Sequence, residues 1–416
     1  MNRVIINFFV VFLSVYSRLF GQSSFNSILL TAWNDEPVKN KSSLVEYRKA
    51  HPQTLQWLDK IELRTQTNEF NFSQQEYGVR FYSNQPSDIR YRKQSESLEI
   101  DELQTEVDEV LHKALLLRYH LLTDLYLNEL EKKMIQQQDS FYKRKINYLE
   151  SLLLNQLNEE VKDLIQSTRK DDKLSARLVL LKEESEFFKL KVNDIGIKET
   201  SLPSFDSWIL PDQIKQILNT ENKTSEAHPV LQKFNQSTAK LNLEKTQIYS
   251  EKWDILNFIQ ARWRNNSKDF LFNEKVSLGA GFRIPYSGDY RKNKNTYQYE
   301  AFKSDLALKE WQFNYAMKAK VIKTELLQIL SQIEQNQIHL KAFEKKFRNP
   351  ELLQHPSLTV LDQLLIEETL LDGQEELFDL QKKLFRSYLE YLDHSRLISL
   401  PPYKNYLLNA LPVIKE

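Results

Sequence analysis

The sequence contains no cysteine and very little glycine or proline. Its 416 residues include 7 Gly and 12 Pro, whereas average usage gives roughly 29 and 21 for this length. The lack of cysteine excludes disulfides, thiolate metal sites, Cys nucleophiles and lipid attachment through cysteine in this sequence. Because Gly and Pro most often interrupt regular structure, their scarcity predicts long, uninterrupted helices.

Neither sign of charge dominates. The chain has 57 Lys and Arg against 57 Asp and Glu, and a nucleic-acid-binding protein normally shows a basic excess. We therefore expect no nucleic-acid partner. The mean hydropathy of −0.55 argues against a membrane protein built of several spanning helices. An aromatic content of 12% argues against disorder.

The N-terminus has the pattern of an export signal. Arg3 precedes a mostly apolar run over residues 4–16, and Gly21 and Gln22 offer a small-residue cleavage region. The run is too short to span a membrane, so residues 1–22 are predicted to be a signal peptide. A buried N-terminal helix is the alternative. The mature chain is expected to begin near Ser23 and to be exported.

Two long stretches lack both Gly and Pro, namely residues 87–195 and 289–349. A helix of 61 residues would be about 90 Å long, which indicates a coiled coil or a helical tube. Breaks are predicted at residues 168–172 and 349–356. Near the C-terminus, apolar residues recur every seven positions in two neighbouring series: Leu364, Leu371, Phe378, Phe385 and Leu392, and Leu370, Leu377, Leu384 and Tyr391. Two apolar seams on one helix predict contact with two neighbouring helices.

A short motif occurs twice, about 200 residues apart. Residues 69–72 and 269–272 share an acidic residue followed by F-x-F, and each is followed by G-φ-R-φ, where φ is apolar. Alternation of apolar and polar residues over 61–67, 77–81 and 276–284 predicts strands, with another strand placed around 265–272. Two β-hairpins are therefore expected, and the alternative is a pair of small surface hairpins.

Three local motifs then resemble the TolC family of outer-membrane efflux channels over about residues 60–396. They are the helix start at residues 228–231 (HPVL), the strand at 276–286 (VSLGAGFRIPY), and the helix start at 357–362 (SLTVLD) followed by Glu367, Leu370, Leu371 and Leu377. The first inward helix is predicted to be shortened, because Pro52 precedes the first hairpin motif by far fewer residues than Pro229 precedes the second.

The resemblance implies a mainly α fold. Long coiled-coil helices would form an α-barrel, and two β-hairpins per chain would contribute to a trimeric 12-stranded β-barrel. Elementary physics agrees with this pooling of strands, because four strands cannot close a barrel and an open sheet edge cannot face lipid. The predicted organisation is a signal peptide (1–22), an N-terminal segment (23–60), a first repeat (61–196), a linker (197–227), a second repeat (228–396) and a tail (397–416).

The function implied by the resemblance is that of a passive conduit across the outer membrane and periplasm. Its partners would be two further copies of the chain, a periplasmic adaptor, an inner-membrane pump and outer-membrane lipid. A soluble periplasmic coiled-coil scaffold or adaptor is the main alternative, and a coiled-coil adhesin is a more remote one. The sequence shows no nucleophile, metal or phosphate-binding motif, so neither enzymatic activity nor a cofactor is expected.

The candidate site residues follow from the same resemblance. Asp362 would form a ring of three carboxylates at a pore constriction, which favours cations; the alternative is an acidic residue that stabilises a helix start. Adaptor-docking tip candidates are Arg169, Lys170, Asp171, Asp172, Arg348, Asn349 and Pro350. Barrel-strand candidates are Val79, Phe81, Leu278, Phe282 and Ile284.

Overall fold

The structure is a computed structural model. It describes residues 25–52, 56–67, 75–84, 86–154, 161–195, 205–220, 228–250, 256–264, 276–282, 287–347 and 358–415. The predicted signal peptide (1–22) and the candidates Ile284, Arg348, Asn349 and Pro350 lie outside the described residues.

Long helices and two pairs of strands alternate along the chain. In order, the elements are α1 (Glu36–Ala50), β1 (Leu58–Thr67), β2 (Gln75–Ser83), α2 (Pro86–Leu154), α3 (Val161–Asp194), α4 (Pro211–Thr220), α5 (Pro229–Ser250), β3 (Leu256–Arg264), β4 (Val276–Phe282), α6 (Ser287–Phe347), α7 (Val360–Ser395), β5 (Tyr403–Lys404) and β6 (Val413–Lys415). Helix α2 has 69 residues and α6 has 61, so they are about 100 Å and 90 Å long. No helix within these described ranges holds a stretch apolar and long enough to span a membrane.

The chain divides into two compact units. The first comprises the residues up to Val38, Val110–Ser225 and Tyr315–Glu416; the second comprises Lys39–Glu109 and Glu226–Asn314. Each unit therefore draws on both repeats of the sequence.

The first unit has a continuous hydrophobic core. It includes Phe25, Leu29 and Ile28 from the N-terminal segment, which are fully buried, together with Trp208 and the C-terminal Leu407. The Tyr119 hydroxyl donates to the Lys404 carbonyl at 2.9 Å and accepts from the Tyr406 amide at 3.1 Å, which ties the tail to α2. The N-terminal segment, the linker and the tail are thus integral parts of this core.

Both apolar seams of α7 are packed as the heptad spacing predicts. Buried members of the two series are Leu364, Phe378, Phe385, Leu392, Leu370, Leu384 and Tyr391. Gly373, which belongs to neither series, lies where α7 approaches α6, and a Cβ there would overlap the side chain of Leu340. Glycine therefore permits a close helix contact at this position.

A four-stranded antiparallel sheet lies in the second unit. Its strand order is β1-β2-β3-β4, so the two hairpins of the sequence join through the pairing of β2 with β3. Helix α1, which leads to the first hairpin, has 15 residues, whereas α5, which leads to the second, has 22. The first inward helix is shorter, as the sequence indicates.

Two boundaries predicted from the sequence are wrong. Helix α3 runs without interruption through 168–172, because this charged stretch contains neither Gly nor Pro. Within the helix, the Thr168 hydroxyl donates a hydrogen bond to the Leu164 carbonyl at 2.9 Å. The first strand of the second hairpin is β3 at Leu256–Arg264 rather than 265–272. Its apolar residues Ile259, Ala261 and Trp263 alternate with polar ones, a pattern that the neighbouring F-x-F motif obscured.

Candidate functional site

The four-stranded sheet has one largely apolar face. The strand register aligns residues of this face in three rows that cross all four strands, and Thr65 is the one polar residue in these rows: Ile61, Phe81, Ile259 and Ala280; Leu63, Val79, Ala261 and Leu278; and Thr65, Tyr77, Trp263 and Val276. The residues predicted to belong to barrel strands, Val79, Phe81 and Leu278, all lie on this face, and Phe282 ends β4.

Side chains of this apolar face are exposed to solvent in the part of the chain that the structure describes. Leu63 is 78% exposed, Leu278 is 80% exposed and Phe282 is 68% exposed. Monomeric soluble proteins rarely leave so large a contiguous apolar patch in contact with water. The face therefore requires a non-aqueous environment or another protein surface.

Aromatic rings lie where the apolar face ends. Tyr77 and Trp263 are directly paired across β2 and β3, and their rings stack with centroids 6.0 Å apart. Trp57 is 66% exposed just before β1 begins. Strand β2 has 9 residues and so spans about 30 Å. Amphipathic aromatic side chains at both ends of such a band are typical of sheets that cross a bilayer.

The opposite face of the sheet is polar. Its residues include Lys60, Glu62, Arg64, Glu76, Gly78, Arg80, Gln260, Arg262, Ser277 and Gly279. Arg80 Nε donates to Gln260 Oε1 at 2.5 Å, and Tyr82 Oη donates to Glu62 Oε2 at 2.8 Å. The sheet therefore has two chemically distinct sides.

Two helices also present stripes of exposed apolar side chains. On α6 the exposed residues are Tyr299, Phe302, Leu306, Phe313, Met317 and Val321, and on α3 they are Val161, Ile165, Val179, Leu180, Phe187 and Leu190. At 3.6 residues per turn, each set falls within about 100° of the helix circumference. These stripes have the form of helix-packing surfaces.

Asp362 forms the start of α7. Thr359 caps the helix by accepting from the Asp362 amide at 3.2 Å. The Asp362 carboxylate in turn accepts from the Thr359 amide at 2.8 Å and from its hydroxyl at 2.7 Å. The hydrogen bond from the Thr359 side chain, followed by that from its backbone, lowers the pKa of Asp362. The carboxylate is solvent-exposed and charged at neutral pH.

Lys170, one of the predicted tip residues, lies in the first third of α3 and takes part in a polar network. Its Nζ donates to Tyr142 Oη at 2.8 Å and to Glu368 Oε1 at 3.2 Å. Glu368 also accepts from Lys145 at 2.6 Å. Burial raises the pKa of Tyr142 to about 12, so the phenol stays protonated. The network joins α2, α3 and α7.

The other described tip candidates lie beside Lys170 on α3. Arg169 and Asp172 are exposed and Asp171 is half-buried. Their position inside α3, which runs from Val161 to Asp194, does not match the predicted loop.

The architecture is similar to that of solved outer-membrane channels. The outer membrane protein VceC from Vibrio cholerae aligns with a TM-score of 0.58 at 13% identity, covering 90% of this chain and 96% of VceC. CusC, whose structures are described in terms of transmembrane channel formation, aligns with a TM-score of 0.57 at 13% identity, covering 90% of this chain and 92% of CusC. The Campylobacter jejuni outer membrane channel CmeC aligns with a TM-score of 0.56 at 10% identity, covering 89% of this chain and 85% of CmeC.

No protein-family model and no curated protein matches the chain by sequence. The structural similarity extends over most of this chain and most of each solved chain, although the sequence identity is very low. The chain therefore has a divergent form of the TolC-like fold, as its motifs predict.

Proposed function

We propose that this protein is an outer-membrane channel of the TolC type, which conducts solutes passively from the periplasm to the outside. The observation that supports this function most directly is the sheet with one exposed apolar face and one charged face. In a bilayer the apolar face would contact lipid and the charged face would line water.

The edges of the sheet require partner strands. Among the described residues, strands β1 and β4 each pair on one side, and an unpaired edge is costly in lipid because its backbone groups have no water to bond. Pairing β1 of one copy with β4 of the next removes both edges. Three copies give 12 strands, the number that the family resemblance implies.

The exposed helix stripes support the same assembly. The apolar residues of α3 and α6 would pack against helices of neighbouring copies and close a tube of helices. Burying a large apolar side chain such as Phe302 or Phe313 stabilises the assembly by about 1.5–3 kcal/mol. A homotrimer thus accounts for both the sheet edges and the stripes.

The conduit would work with a periplasmic adaptor and an inner-membrane pump, which supplies the energy. Arg169 and Asp172, which are exposed on α3 rather than in a loop, would offer charges to the adaptor. Asp362 would contribute three carboxylates near the periplasmic opening. The proposed location is the outer membrane, with the helices extending into the periplasm.

Membrane fractionation and single-channel recording of the full-length protein test this function. We expect the protein to sediment with outer membranes, to resist carbonate extraction, and to run as a heat-modifiable trimer. The purified protein should give discrete conductance steps in planar bilayers. A monomer recovered in the soluble periplasmic fraction, with no conductance, would instead identify a coiled-coil scaffold or adaptor.

A further inference from the structure

The charged face of the sheet carries an excess of positive charge. Counted along the chain from Lys60, the described side chains of this face include four cations (Lys60, Arg64, Arg80 and Arg262) and two carboxylates (Glu62 and Glu76). The whole chain is neutral, so the excess of two positive charges is a local property of this face.

The two carboxylates are less available to solutes than the cations. Glu62 accepts hydrogen bonds from Tyr82 at 2.8 Å and from Arg64 at 3.2 Å, and its side chain is 29% exposed. Glu76 is buried, with 8% exposure. Arg64, by contrast, has a 49% exposed side chain, and Lys60 and Arg262 are also exposed.

Arg80 is held in a fixed position at the centre of this face. Its Nε donates to Gln260, and its guanidinium carbon lies 4.3 Å from the centre of the Phe258 ring. Stacking on an aromatic ring restrains the guanidinium while leaving its remaining N–H groups to donate. The positive charge is therefore fixed in place at this point.

We propose that the charged face of the sheet forms an anion-selective section of the conduit, through which negatively charged solutes pass more readily than cations. The inference rests on the proposed function, because three copies would enclose six excess positive charges in one pore. Low-dielectric walls focus such a field and raise the local concentration of counter-ions. Salt screens it, with a Debye length of about 10 Å at 0.1 M.

Reversal potentials in planar bilayers under a KCl gradient test the proposal. The Asp362→Asn channel removes the opposing carboxylates of the other candidate site, and we expect it to prefer chloride over potassium. Adding Arg64→Gln and Arg262→Gln should shift the reversal potential toward cation preference. Lys309→Gln, which removes an exposed cation paired with Asp305 on α6, should leave it unchanged.

A change of opposite sign provides a second, independent measurement. Glu62→Gln removes a carboxylate from the same face and should increase the preference for chloride. Preference for potassium in the Asp362→Asn channel, or identical reversal potentials with and without Glu62→Gln, would overturn the proposal while leaving the channel function intact. Absence of any conductance would overturn the channel function itself, and the selectivity with it.

Discussion

Arg118 forms a bidentate ion pair with Asp35. Its Nη2 donates to Asp35 Oδ1 at 2.6 Å and its Nη1 donates to Oδ2 at 2.9 Å. The Arg118 side chain is 1% exposed, and its Nε also donates to the Thr31 hydroxyl at 2.7 Å. The guanidinium thereby fastens the N-terminal segment, whose role the sequence does not reveal, to the middle of α2.

Replacing Arg118 with methionine should destabilise the first unit strongly. The substitution keeps much of the buried volume but leaves Asp35 and Thr31 without their donor. Removing one partner of a buried, charge-assisted pair costs about 2–4 kcal/mol. Chemical denaturation of the detergent-solubilised protein, followed by circular dichroism, would measure this loss.

Arg144→Met provides the matched control. Arg144 pairs with Glu367 at 2.6 Å, but its side chain is 59% exposed, and solvent-exposed ion pairs contribute about 0–1 kcal/mol. If Arg118→Met and Arg144→Met lowered the free energy of unfolding equally, the buried pair would not anchor the N-terminal segment.

Leu278 and its neighbour Ser277 distinguish the two faces of the sheet. Leu278→Arg would place a charge on the apolar face, which costs about 2–4 kcal/mol at the centre of a bilayer, and should abolish recovery of the trimer from outer membranes. Ser277→Arg places the same charge on the polar face and should be tolerated. Normal assembly of Leu278→Arg would show that this face does not contact lipid.

Two glycines on β4 make a second matched pair. A Cβ at Gly281 would overlap the ring of Phe258, whereas a Cβ at Gly279 would have nothing within 4 Å. Gly281→Ala should therefore displace Phe258 from Arg80 and lower the heat-stability of the trimer on gels, and Gly279→Ala should not. Identical behaviour of the two variants would indicate that the Phe258 ring moves without cost.

Local patterns predict the repeating parts of this fold well. Heptad spacing predicts most of the buried residues of α7, because residues seven positions apart lie on the same side of the helix. Alternation in β1, β2 and β4 places Val79 and Leu278 on one face, because successive strand residues point to opposite sides. These features follow from short-range periodicity alone.

Features that depend on distant residues are not accessible from the sequence. The seven-residue pattern gives no sign that Lys170 donates to Tyr142 and Glu368 across three helices. The charged sequence around Lys170 looks like a surface loop until those partners are known. Likewise, Phe25 and Trp208 have no periodic context, and only the folded chain shows that their segments fill one core.

His112 forms a buried, titratable contact between α2 and the end of α7. Its Nε2 lies 2.8 Å from Asp393 Oδ1 and its Nδ1 lies 3.0 Å from Ser399 Oγ. Burial lowers the pKa of His112, opposed by the hydrogen bond to Asp393, while Arg396 and Lys113 lower it further. The folded protein therefore favours the neutral imidazole.

Stability should fall as the medium is acidified below the ordinary histidine pKa of about 6.5. In that range the unfolded chain takes up a proton that His112 in the folded chain does not, so the free energy of unfolding decreases until the folded pKa is reached. Each pKa unit of depression corresponds to about 1.4 kcal/mol. Urea denaturation between neutral and mildly acidic pH would measure the slope.

His112→Gln should flatten this pH dependence, because glutamine does not titrate. His339→Gln changes an exposed histidine on α6 and should leave the slope as it is. His394, whose pKa is also lowered by burial, should contribute to the slope that remains. An unchanged slope in His112→Gln would show that His112 does not control acid sensitivity.

Asp362→Asn separates the electrostatic role proposed for this residue from its role in capping α7. Asparagine retains an oxygen that accepts from Thr359, so the helix start should persist, but the ring of three negative charges is lost. We expect weaker block of the channel by polyvalent cations added from the periplasmic side, measured in planar bilayers. Thr359→Ala should instead weaken the cap and keep the charge and the block. If cations block the Asp362→Asn channel as strongly as the wild type, the carboxylate serves the helix start alone.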